Sequence, residues 1–67
     1  MPEKIKSVVI IPAYEPPIYL ISYAKELLSS NIDEIIVIND GSPKKYNKVF
    51  KELSLLPNVT LLNNRTN

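Results

Sequence analysis

The residues that could do chemistry gather in two short strings, Pro12-Ala13-Tyr14-Glu15 and Asn39-Asp40-Gly41-Ser42. Asp40 is the sharpest case. A lone carboxylate after an apolar run can accept a hydrogen bond from a ligand N–H, such as the imide of a uracil. It can equally accept from the backbone N–H groups of its own turn. Gly41 is the only glycine in the chain. It suits a strand-to-helix turn that needs positive φ, and its missing Cβ would let a ligand approach the backbone closely. Ser42 followed by Pro43 reads as a helix N-cap and first helical residue. Tyr14 offers a flat ring to stack on a base or to pack over strand ends. Glu15 offers a carboxylate to a ribose hydroxyl or to solvent. Lys44 and Lys45 can face a pyrophosphate or water, although the helix dipole disfavours cations in a first turn.

Several chemistries are excluded by composition. The 67 residues contain no histidine and no cysteine. A histidine general base, a catalytic triad, a disulfide and most zinc geometries are therefore absent. Eight basic residues face seven acidic ones, without the clustered basic excess that nucleic acid requires. No G-x-G-x-x-G follows the first apolar run, and there is no Walker sequence. A phosphate-gripping glycine loop is not how this chain would hold a nucleotide. The longest apolar runs, Val8 to Ile11 and Ile35 to Ile38, are far below the ~20 residues of a membrane span or the ~10 of a signal core. With no cysteine, these features predict a cytoplasmic chain.

The elements that must position these strings follow from periodicity. Ser7 to Ile11 holds four β-branched apolar residues in sequence, the pattern of a parallel strand covered on both faces, and Pro12 should end it. Pro16 and Pro17 suit a first helical turn. From Ile18 to Ser29, Leu20, Ile21, Ala24, Leu27 and Leu28 form one helical stripe. Asn31 is placed for a left-handed cap. Glu34 to Asn39 is a second continuous strand. Tyr46, Val49, Phe50 and Leu53 mark a second helix beginning at Ser42. Leu55 and Leu56 are expected to cover the sheet, Pro57-Asn58 to turn, and Val59 to Asn63 to form a third strand.

The resulting pattern is βαβαβ, which implies α/β architecture: a three-layer parallel sheet, the Rossmann-like half of a nucleotide-binding domain. In such sheets ligands bind at the carboxyl ends of the strands. Tyr14 and Glu15, Asn39 to Ser42, and Asn63, Asn64 and Arg65 all fall there. Three strands leave an open edge, so we expect residues 1–67 to be the N-terminal part of a larger single domain. The edge is a template for self-association.

The two strings, separated by one helix, resemble the opening of family-2 inverting glycosyltransferases. There an apolar strand leads to Pro-x-Tyr-Asn, and a second strand ends in Asp-Asp-Gly-Ser or Asn-Asp-Gly-Ser. Here they read Val8-Val9-Ile10-Ile11-Pro12-Ala13-Tyr14-Glu15 and Ile35-Ile36-Val37-Ile38-Asn39-Asp40-Gly41-Ser42. Leu61 to Asn67 resembles the third strand. The resemblance implies a GT-A fold and transfer of a sugar from a nucleotide donor, with UDP the expected nucleotide, to a saccharide or lipid-linked acceptor. It implies that Pro12, Tyr14, Glu15, Asn39, Asp40 and Gly41 bind the nucleotide. Asp40 matches the aspartate that contacts the base, and Tyr14 and Glu15 match the loop lining base and ribose. Glu15 departs from the commoner Asn. The family's metal-binding Asp-x-Asp and catalytic base fall on segments beyond residue 67. A divalent cation, Mn or Mg, is thus expected only for the complete enzyme, at the cytoplasmic face of a membrane. Residues 1–67 are expected to hold neither cofactor nor catalytic group.

Two other classes begin with similar elements. A sugar-nucleotide pyrophosphorylase or cytidylyltransferase has a glycine-rich, basic first loop, which Pro12 to Pro17 lacks. A receiver-like interaction module carries acidic residues after its first strand and an aspartate after its third, where this chain has Asn63-Asn64.

Overall fold

The computed structural model describes residues 6–64. Arg65, placed above with the strand-end residues, lies outside them. Three strands, β1 (Val8–Ala13), β2 (Glu34–Asp40) and β3 (Val59–Asn64), form one sheet in the order β1-β2-β3. Both pairings are parallel, with Val9 opposite Ile35 and Ile35 opposite Val59. Helix α1 (Leu20–Ser29) connects β1 to β2. A 3-10 turn (Lys44–Tyr46) and α2 (Asn47–Ser54) connect β2 to β3. No helix among the described residues is long and apolar enough to cross a membrane.

The layering differs from expectation. One core contains Ala13, Leu20, Ala24, Ile35, Val37, Val49, Phe50 and Leu53, with Val9, Ile11, Val59 and Leu61 packed against it. Every strand residue in that set is odd-numbered, so the strands present a single face to both helices. Among the described residues the molecule therefore has two layers, not three. The cause is topological. Two right-handed crossovers that step in the same direction, β1 to β2 to β3, put both helices on one side. A helix on the other face would require the strand order to reverse. The continuous apolar runs are thus covered on one face only, and Val8, Ile10 and Leu62 on the other are well exposed.

Local boundaries also move. Pro12 does not end β1, which continues to Ala13. β1 is an edge strand, where a missing N–H is tolerated. Pro16 and Pro17 precede α1, which begins at Leu20 rather than Ile18; the Leu20 N–H donates to the Pro17 carbonyl at 3.0 Å. Asn31 is left-handed as expected (φ 35°), and Asn58 likewise turns the chain before β3 (φ 63°). Of the two leucines assigned to cover the sheet, Leu56 packs against the core and Leu55 is 73% exposed. At the amino ends of the strands, the Ser7 N–H donates to Asp33 Oδ2 at 2.8 Å. The Ser7 carbonyl accepts from the N–H groups of Asp33 and Glu34. These bonds align the start of β1 with that of β2.

Candidate functional site

The carboxyl ends of the strands bring the two strings together. Ser42 joins them. Its Oγ accepts the Glu15 N–H at 2.9 Å, and its own N–H donates to Asn39 Oδ1 at 2.9 Å. Ser42 is therefore not the expected N-cap. Pro43 is extended (ψ 160°), the 3-10 turn starts at Lys44, and α2 starts at Asn47 without a side-chain cap. The hydroxyl instead links the loop after β1 to the turn after β2. Gly41 has φ 79°, the left-handed conformation expected of it, and Glu15 is also left-handed at φ 51°.

Alternation along β2 divides the second string. Asn39 continues the odd-numbered, helix-side row, and Asp40 lies on the opposite face. Each is paired with its register partner on β3. Asn39 Nδ2 donates to Asn63 Oδ1 at 3.2 Å, and Asn64 Nδ2 donates to Asp40 Oδ1 at 3.0 Å. A carboxylate offers about four acceptor positions. The Asn64 bond therefore leaves Asp40 capacity for a ligand N–H.

Two recesses flank this end of the sheet. A polar one of about 660 Å³ is lined by Asn39, Gly41, Ser42, Lys44, Asn47, Asn63 and Asn64. An apolar one of about 340 Å³ is lined by Ile11, Pro12, Ala13, Tyr14, Pro16, Pro17, Tyr19, Leu20 and Tyr23. The six expected nucleotide-binding residues are thus distributed. Pro12 and Tyr14 line the apolar recess, and Asn39 and Gly41 the polar one. Glu15 is tied to the polar recess through Ser42. Asp40 lines neither. Lys44 lines the polar recess, whereas Lys45 places its Nζ 5.4 Å from the Tyr46 ring centroid, a cation–π contact.

Sequence reasoning underweighted Ser42, Asn47, Tyr19 and Tyr23. The i, i+4 spacing of Tyr19 and Tyr23 is itself a signal, since it sets two rings on one side of a helix. The described residues contain no group of three His, Cys, Asp or Glu side chains able to hold a metal ion. Comparison with protein-family models, with curated proteins and with solved structures returned no match.

Proposed function

We propose that this chain is the nucleotide-sugar-binding part of a family-2 glycosyltransferase with a GT-A fold. The complete enzyme would transfer a sugar from a nucleotide donor, UDP-linked in the simplest case, to an acceptor hydroxyl on a saccharide or lipid-linked substrate. The observation that carries the proposal is the Ser42 Oγ to Glu15 N–H bond. It joins the two strings that bear the resemblance at the carboxyl end of a parallel sheet, where ligands bind in this architecture.

In this reading Asp40 accepts the imide N–H of the base through the acceptor positions that Asn64 leaves open. Tyr14, 55% exposed, lies over the base. Glu15 reaches a ribose hydroxyl, and Gly41 lets the nucleotide approach the backbone. The amide-lined recess below Asn39 takes the polar remainder of the donor. None of these residues moves a proton or holds a metal, so the chain binds the donor without turning it over.

The test is a titration of UDP into isotope-labelled protein, with and without manganese, read through backbone amide shifts. The expected changes are confined to Tyr14, Glu15 and Asn39 to Ser42. They should be unaffected by manganese and abolished by Asp40→Ala. A folded sample whose amides do not move, or move elsewhere, would overturn the proposal.

A further inference from the structure

The hydrogen bonds around the polar recess run in one direction. The Ser42 N–H can only donate, and it donates to Asn39 Oδ1 at 2.9 Å. That bond fixes the Asn39 amide with its nitrogen toward β3. Asn39 Nδ2 donates in turn to Asn63 Oδ1 at 3.2 Å. The Asn63 oxygen is thereby engaged, and its Nδ2 group remains to donate. The Ser42 hydroxyl has the same asymmetry. Its oxygen accepts the Glu15 N–H at 2.9 Å, and its own proton remains to donate. Acceptors of this network are used within the chain, and donors are left over.

Charge agrees with this polarity. Lys44 lines the recess, and no Asp or Glu does. Among the described residues Lys44 has no ion-pair partner; the salt bridge there joins Lys6 to Glu34, at the other end of the sheet. Lys45 is engaged elsewhere, over the Tyr46 ring. Asn47 adds a further amide to the lining, and the volume of about 660 Å³ is that of a small-molecule site. A cation, a hydroxyl and amide N–H groups without a carboxylate suit a negatively charged ligand whose polar atoms only accept. The oxygens of a phosphoanhydride meet that description.

We propose that this recess binds the diphosphate of the donor directly, through Lys44 Nζ, Asn63 Nδ2 and the Ser42 hydroxyl. The proposal rests on the nucleotide reading for the identity of the ligand, and on the recess itself for the preference for an anion. Gly41 links the two parts. It stands between Asp40 and Ser42 and lines the recess, and its missing Cβ leaves the way from Asp40 into the recess open. Lys44 and Lys45 are equivalent in the sequence, and the fold assigns the diphosphate to Lys44 alone.

The test titrates uridine, pyrophosphate and UDP into the isotope-labelled full chain, with a chelator present and ionic strength held constant. The side-chain NH2 signals of Asn47 and Asn63 and the backbone amides of Gly41 and Ser42 report the recess. The backbone amides of Tyr14 and Asp40 report the base. Pyrophosphate lacks the base contacts, so it is taken to about 20 mM. Pyrophosphate and UDP should both shift the recess signals, and uridine only those of Tyr14 and Asp40. Lys44→Ala should weaken pyrophosphate and UDP about tenfold and leave uridine unchanged. Asn63→Asp keeps an oxygen for Asn39 but replaces the donor with a negative charge, and should do the same. Lys45→Ala should alter neither ligand. All three positions are exposed, so far-ultraviolet circular dichroism should be unchanged. Uridine shifts with recess signals that pyrophosphate and UDP leave unmoved would overturn this proposal and spare the base assignment. Recess shifts without any response to uridine would do the reverse. Binding that Lys44→Ala and Asn63→Asp leave intact, or that Lys45→Ala weakens equally, would also overturn the proposal.

Discussion

Ser42 Oγ accepts the Glu15 N–H across 27 residues of chain and so links the two strings, which the β1–β2 pairing brings side by side. Replacing Ser42 by Ala leaves the Glu15 amide to water. The bond is exposed, so its loss should cost no more than about 1 kcal/mol. The change should appear as a lower urea midpoint with an unaltered slope and as faster hydrogen exchange at the Glu15 amide. UDP-induced shifts should weaken while remaining at the same residues. Glu15 itself is left-handed, a conformation that Asn accepts more readily than Glu. This gives a backbone reason for the Asn that is common at this position in the pattern the chain resembles.

At the scale of elements, α1 rests on the sheet through small contacts. Ala24 is fully buried at the middle of the helix, beside Leu20, and lies in the same core as Ile35 and Val37. That side chain ends at Cβ and is fully enclosed, so the packed core has no space at this position for a larger one. Ala24→Leu should push α1 outward at a cost of about 1–3 kcal/mol. For a domain of this size each kcal/mol lowers the melting temperature by about 4–8 °C. A thermal scan should therefore show a fall of several degrees. An unchanged melting temperature would mean that α1 is not held where the sheet places it. Helix α2 is anchored differently, by Val49, Phe50 and Leu53, all buried.

At the scale of the whole molecule, two helices and one sheet face share a core of eight buried residues among those described. A chain of this length buries only about 60% of the surface its unfolded form exposes, so its stability is marginal. Leu53 is fully buried in that core, so Leu53→Ala should cost about 2–5 kcal/mol and lower the melting temperature by well over about 4 °C. A calorimetric scan measures the fall, and an unchanged melting temperature would mean that α2 does not share the core.

The sequence alone determined the order of the elements, the parallel sense of the sheet and the gathering of polar residues at one end. These follow from local information: apolar runs of strand length, helical stripes between them, and turn residues such as Gly41 and Asn31, whose left-handed backbones the structure contains. Three features required the tertiary structure. The run Ile35 to Ile38 reads the same whether one face or both are covered, so only the strand order showed that both helices lie on one side. Pro12 breaks a central strand but is tolerated at an edge, and edge position is a property of the assembled sheet. The Ser42 hydroxyl had a local reading as a helix cap, yet its partner lies on a distant loop that only the fold brings within 2.9 Å. Local propensity specifies what each segment becomes, and contacts between remote segments decide which faces and side chains meet.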